Sequence, residues 1–303
     1  MAAAPEMGCG VSSGNRSLTV AALLLVATSL PAATFYVTVA GLGGEPEYEQ
    51  RFAAWAQEID KYVKSGAAKV ETLYGPNATR ARVRSALESI ARDAGPQDAV
   101  VLMLIGHGTF DNVEYKFNLP GPDLPGSELA ALLDRIRARQ LVVNMTSASG
   151  ACLDALRKPN RVVITATKAG TEKNATLFAR YWVEALRDPA ADTDKNETVS
   201  AAEAFRYAEQ KTAKFYEGQK RLATEHPRME GDTASSFIVA RFGQASAALN
   251  NPAKRQLLER REGLEQKIDE LKLQKAAMPV DEYRKQLTAL LVELAKTQAE
   301  LDK

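Results

Sequence analysis

Residues 99–109, AVVLMLIGHGT, decide the fold. Seven apolar residues, three of them the β-branched Val100, Val101 and Ile105, run straight into a histidine flanked by glycines. That is the pattern of a strand buried on both faces and stopped by a loop. Residues 141–150, LVVNMTSASG, repeat the design: the apolar run Leu141-Val142-Val143 ends in the polar stretch Asn144 to Ser149. In an open α/β sheet, ligands and catalytic groups collect at the carboxyl ends of strands, because the strands hold loops there that are free to vary. Two such ends on neighbouring strands bring His107 towards Ser147 or Ser149.

Working outward, strand and helix patterns alternate from Thr34. TFYVTVA (34–40) reads as a strand entering the glycine-rich loop Gly41-Leu42-Gly43-Gly44. Residues 47–63 carry Phe52, Trp55, Ile59 and Val63 at helical spacing, and 69–74 read as a short strand. Residues 79–91 follow as a helix capped by Thr79. Tyr115 to Asp123, with two prolines, reads as a loop, and Ser127 as the cap of a helix bearing Leu129, Leu132, Leu133 and Ile136. A short helix over 151–156 and a buried strand over 161–166 complete a βαβ alternation. It predicts a mostly parallel sheet covered on both faces.

The flanks differ in kind. Arg16, the apolar run Leu18 to Ala27 and the small residues Ser29 to Ala33 match a secretory signal peptide spanning 1–33. The apolar run is too short to span a bilayer. Export to a periplasmic or extracellular space is therefore expected, with no membrane attachment after cleavage. Cys9 leaves with the leader, so Cys152 has no internal disulfide partner. Beyond the 34–245 region, Asn251-Pro252 opens a helix with Leu257, Leu264, Ile268 and Leu271 on one stripe. After Pro279 a second helix carries Tyr283, Leu287, Leu290, Leu294, Thr297 and Leu301 in steps of four and three. Residues 250–303 thus predict an antiparallel, coiled-coil-like hairpin suited to a partner or a second copy.

Composition excludes several classes. In 303 residues the chain is 45% hydrophobic and 25% charged, with a net charge of +1, giving no electrostatic basis for nucleic-acid binding. Only His107 and His226 are present, which rules out a histidine-rich zinc site. His226, before Pro227, reads as a surface or packing residue. Neither Ser147 nor Ser149 has the G-x-S-x-G context of a hydrolase elbow, Met145 and Ser147 standing where the first glycine would be, and the 41–44 loop lacks the lysine of a phosphate loop. No cofactor is called for.

Asp192-Thr-Asp194-Lys-Asn196 with Ser200 and Glu203 follows the ligand spacing of a calcium loop. Position six of that loop, Glu197, is not the glycine that the turn requires, so the segment reads chiefly as a polar loop in which Ser200 caps a helix over 201–214.

Glycine-rich loop, strand-GHG, strand-TSASG and strand-RVVITAT, in that order, resemble the caspase-type peptidases and, among them, the legumain (haemoglobinase) family. The resemblance covers about Thr34 to Arg241 and implies a three-layer α/β sandwich. It implies that His107 is the general base and that Ser147 stands where the family has its nucleophilic cysteine. Gly108 then supplies an oxyanion-binding N–H, and Gly43, Gly44, Asp111 and Ser149 line the peptide cleft. Serine in place of cysteine changes the chemistry, since a hydroxyl is not ionised near neutral pH and needs its base in direct contact. Two readings follow: a peptide- or partner-binding homologue that has lost hydrolysis, or a peptidase using Ser147 with His107. Asp111 and Asp123 are the nearest carboxylates in sequence that could orient His107. Cys152, between Ala151 and Leu153, reads as a buried small hydrophobe rather than a nucleophile.

Overall fold

The computed structural model describes Met1, residues 33–64 and residues 68–303. The proposed signal peptide lies almost wholly outside these residues. The chain runs through β1 (Thr34–Ala40), α1 (Pro46–Val63), β2 (Lys69–Leu73), α2 (Arg80–Asp93), β3 (Ala99–Ile105), β4 (Gly108–Phe110), β5 (Tyr115–Phe117) and β6 (Leu124–Pro125). It continues with α3 (Gly126–Leu133), β7 (Arg139–Asn144), α4 (Leu153–Leu156), β8 (Arg161–Thr165), α5 (Phe178–Ala185), β9 (Thr198–Ser200) and α6 (Ala201–Gly218). Last come β10 (Arg228–Glu230), β11 (Ile238–Arg241), α7 (Gly243–Ala248), α8 (Pro252–Leu273) and α9 (Val280–Leu301).

The main sheet has the order β10-β8-β7-β3-β1-β2, parallel throughout except for β10 at its edge. β3 lies at the centre and is buried along its whole length, as its unbroken apolar sequence requires. Alternation along the strands feeds two layers. Tyr36, Val101, Met103, Val143 and Ile164 pack with Phe52 and Ile59 of α1 and with Phe178 and Trp182 of α5. Val37, Leu102, Leu104, Val142 and Val163 pack with Val83 and Leu87 of α2, Leu129 and Leu133 of α3, and Leu156 of α4. The fold is the expected three-layer α/β sandwich with a helical hairpin after it.

Two local readings are corrected. The stretch after His107 is not only loop: β4, β5 and β6 form a small antiparallel sheet whose inward side chains are Tyr115, Phe117 and Leu124. Three residues of alternation are too few to register as a strand in the sequence. Ser127 does not cap α3, whose preceding residue is Pro125; its hydroxyl and N–H turn instead to Glu114. Thr79 and Ser200 do cap α2 and α6, Ser200 in a reciprocal box with Glu203.

In the hairpin, Lys254 Nζ reaches the Leu301 carbonyl at 3.1 Å and Arg260 pairs with Glu293 at 2.9 Å, fixing the two helices antiparallel. The α9 stripe from Tyr283 to Leu301 is the side turned from solvent, and Asn251 caps α8 as its sequence indicates. On α8 the buried residue is Leu258, with Leu257 only half-buried. Leu264, Ile268 and Leu271 are buried with it. The stripe is shifted because α8 also faces the main domain. Arg241 of β11 makes a two-pronged contact with Glu262, Nε at 2.8 Å and Nη2 at 2.9 Å, and Arg261 Nη2 donates to the Asn196 carbonyl at 2.8 Å.

Truncating one partner of a half-buried forked pair leaves the other charge unsatisfied. Glu262→Ala is therefore expected to lower unfolding stability by about 2 kcal/mol in urea melts.

Candidate functional site at the carboxyl edge of the sheet

β3 and β7 are direct neighbours, with Leu104 opposite Asn144, so the loops that follow them meet. At their meeting point the Ser147 hydroxyl is buried and engaged twice by one residue. It accepts from the Gly108 N–H at 3.0 Å and donates to the Gly108 carbonyl, also at 3.0 Å. This close approach requires glycine, because a Cβ at position 108 would stand 2.5 Å from both the Ser147 carbonyl oxygen and the Tyr115 ring. No hydrogen bond joins Ser147 to His107. The Gly108 N–H, expected to face an oxyanion, is bonded to the serine in this arrangement.

His107 is half-buried. Its imidazole meets two rings of α1 nearly edge-on, Tyr48 at 4.9 Å between centroids and Phe52 at 5.2 Å. Burial lowers its pKa, while the Gly43 backbone and the Glu45 and Glu49 carboxylates pull it upward. The net direction is down, so the ring is neutral at pH 7. No carboxylate orients it. Asp111 holds its own hairpin, accepting from the Val113 and Glu114 N–H groups and from Lys116, and these donors keep its carboxyl at about 2. Asp123 accepts from the Leu119 N–H and the Asn118 amide. Asp111 is thus a turn-forming residue rather than a cleft residue.

Ser149 is also corrected. It is fully buried, where its oxygen accepts from the Thr167 N–H at 3.1 Å and meets the Thr167 hydroxyl at 3.2 Å, so it presents nothing to a ligand. Gly43 is buried and donates its N–H to Glu49, whereas Gly44 is exposed in a left-handed conformation at φ +77°. Between the two serines, Ala148 takes φ +55°, a conformation that costs a residue with a Cβ about 1–2 kcal/mol. It is held there by its N–H, which donates to the Glu172 carbonyl at 2.8 Å. Glu172 in turn pairs with His226 at 2.5 Å, so the second histidine braces this loop from outside.

Below the loop lies a sealed polar network. The Tyr115 hydroxyl contacts Thr146 at 2.6 Å and Asn144 at 3.3 Å, and the Asn144 amide donates to the Cys152 sulfur at 3.3 Å. Burial pushes the Cys152 thiol up to about 12, which leaves it without thiolate character. The Tyr48 and Phe52 contacts to His107 were not anticipated as site features: Phe52 is visible in the sequence only as part of the helical stripe.

The acidic loop forms its own centre. Asp192, Asp194 and Glu203 each place a carboxylate oxygen within 4.8 Å of the others. Glu197 adopts φ +64°, so the turn at position six is made without glycine, against the sequence argument. Its side chain accepts from the Ala245 N–H. Yet Glu203, the twelfth position, is already satisfied: one oxygen accepts from the Thr193 N–H and hydroxyl, the other from those of Ser200. Asp192 accepts from the Asn196 and Glu197 N–H groups, and Asn196 from the Thr198 N–H. These donors brace the loop, while burial and the neighbouring Glu203 and Asp192 carboxylates push the Asp194 carboxyl up.

No protein-family model and no curated protein matches the chain. Among solved structures, it is similar to a Geobacter sulfurreducens protein at 15% identity and a TM-score of 0.46, covering 70% of this chain and 98% of that one. It is also similar to Chaetomium thermophilum Raptor, at 13% and 0.37, covering 53% of this chain and 18% of that one. The Drosophila initiator caspase Dronc is matched at 10% and 0.37, covering 66% and 79%.

The lowered pKa of His107 has a consequence for stability. Between the folded value and the ordinary value of about 6.5, the unfolded chain binds a proton that the native chain resists. Stability is therefore expected to fall as pH drops through about 6.5. Urea midpoints at a series of pH values should show this slope reduced in His107→Gln.

Proposed function

We propose that the protein is a caspase-fold, legumain-like peptidase homologue that holds a peptide or partner segment at the carboxyl edge of its sheet without hydrolysing it. The observation that carries this reading is the pair of hydrogen bonds between Ser147 and Gly108. A serine nucleophile must give its proton to a base in direct contact. Here the proton goes to the Gly108 carbonyl, and the N–H best placed to stabilise an oxyanion accompanies it in the same pairing. His107 remains neutral and clamped by aromatic rings, able to accept a proton but without one offered. The ordered motifs from the glycine-rich loop to the TSASG strand end support the kinship, and Leu42, Gly44 and His107 give the edge its accessible surface.

The leader pattern adds that the protein acts after export, as a chain beginning near Thr34. The hairpin, with Leu291 and Val292 about half exposed, is the surface offered to a partner or a second copy.

The test is hydrolysis of a peptide library by wild type, Ser147→Cys, Ser147→Ala and His107→Ala. A cysteine ionises without direct contact to its base, so Ser147→Cys is expected to show turnover at least ~100-fold above the other three. Wild-type turnover lost in both Ser147→Ala and His107→Ala would instead establish a serine hydrolase.

A further inference from the structure

α9 carries two apolar faces, and only one is covered. With 3.6 residues per turn, Tyr283, Leu287, Leu290, Leu294, Thr297 and Leu301 share the stripe turned from solvent. On the other side Val292 is 49% exposed, with Thr288, Ala295 and Ala299 exposed around it and Leu291, 47% exposed, at the margin. Thr288, Val292, Ala295 and Ala299 advance in steps of four, three and four, so they form a second continuous stripe.

The charges beside this second face have no partner within the described residues. There the one ion pair of α9 is Glu293 with Arg260 at 2.9 Å. Glu282, Arg284, Lys285, Glu300, Asp302 and Lys303 are exposed and make none. Their placement has a symmetry of its own. Turning the helix residue by residue puts Glu282, Lys285, Glu300 and Lys303 on one flank of the Val292 face, and Arg284 and Asp302 on the other. A two-fold axis perpendicular to α9 makes two copies antiparallel and brings like flank to like flank. If it passes between Val292 and Glu293, Lys285 stands opposite Glu300 of the second copy and Glu282 opposite Lys303, each pair occurring twice. Arg284 comes within one residue of Asp302 on the other flank, and Val292 meets its own counterpart beside the axis. Glu293, the like charge nearest the axis, is already held by Arg260. A parallel pair would bring unlike flanks together, setting Lys285 beside Arg284 and Glu300 beside Asp302. Exposed ion pairs add little affinity each, so burial of the Val292 stripe supplies the attraction while the charges select partner and direction.

We propose that the outer face of α9 is a homodimer interface, on which a second copy of this chain packs antiparallel across a two-fold axis at Val292. The proposal rests on the reading of the hairpin as an interaction surface and narrows it to one partner. It does not depend on the chemistry at Ser147.

Sedimentation of the full chain at concentrations from about 1 to 100 μM, together with cysteine crosslinking, tests it. The wild type is expected to dimerise, and Val292→Glu, which sets two carboxylates at the axis, to weaken the dimer at least ~10-fold. Lys285→Glu and Glu300→Lys should each weaken it at least ~3-fold, and their combination should return it to within ~2-fold of wild type. Oxidised Val292→Cys should link to itself, whereas Ala299→Cys, whose two copies would lie about 20 Å apart along the axis, should not. The cysteine variants keep every wild-type charge, so they stand even where a charge variant fails to fold. A wild type that stays monomeric would overturn the dimer and leave the hydrolysis test at Ser147 untouched. A dimer indifferent to Val292→Glu would overturn the hairpin as its interface, and unrestored affinity in the exchanged pair, or equal linking by Ala299→Cys, would overturn the antiparallel register.

Discussion

The two-point contact between Ser147 and Gly108 is the constraint on which the carboxyl edge depends. It ties the loop after β3 to the loop after β7 through a donor and an acceptor on one peptide residue and one hydroxyl, both 3.0 Å long. Because the hydroxyl can donate one proton only, directing it to the Gly108 carbonyl removes it from His107. Because position 108 must be glycine for the loops to approach so closely, the strand end and the serine loop specify each other. The surrounding network of Tyr115, Asn144, Thr146 and Cys152 then fixes the serine loop from beneath, and Glu172 fixes Ala148 from the side. A loop held at this many points has little freedom to swing Ser147 towards the imidazole.

Much of this architecture is legible in the residues, for reasons that differ by element. The run AVVLMLI reads as a buried strand by its short length, its β-branched residues and the glycine that stops it, and the α9 stripe from Tyr283 to Leu301 has a period that no strand shares. What is not legible depends on contacts distant in sequence. The β4-β5-β6 sheet rests on pairing between three-residue segments, and the displacement of the α8 stripe to Leu258 rests on Arg241, twenty-one residues upstream of Glu262. The candidate site divides in the same way. That β3 and β7 end side by side follows from the alternation of elements, so His107 and Ser147 could be named as neighbours. That the serine proton turns to Gly108, that Asp111 is consumed by its own turn, and that Ser149 is sealed beneath Thr167 are matters of side-chain direction, on which spacing is silent.

The acidic loop shows how similar ligand patterns can serve opposite ends. The spacing of Asp192, Asp194, Asn196 and Glu203 suits a cation, and Glu197 even supplies the left-handed turn. Yet the carboxylates meet backbone N–H groups and hydroxyls from the loop itself, and Ser200 and Glu203 close the start of α6 reciprocally. Arg261 then bonds the Asn196 carbonyl, so α8 is tied to this loop. The loop's chemistry is directed at anchoring the hairpin.

The two edges of the sheet therefore differ in kind. A parallel sheet delivers loops to both ends of its strands, but the carboxyl ends here carry hydroxyls, amides and glycines that satisfy one another. At the amino ends the forked contact of Arg241 with Glu262 holds α8 across a cleft lined by side chains of both signs. Polar groups that complete each other's bonds favour rigidity. The edge at which the familiar motifs lie is therefore a fixed surface, with Leu42, Gly44 and His107 accessible on it.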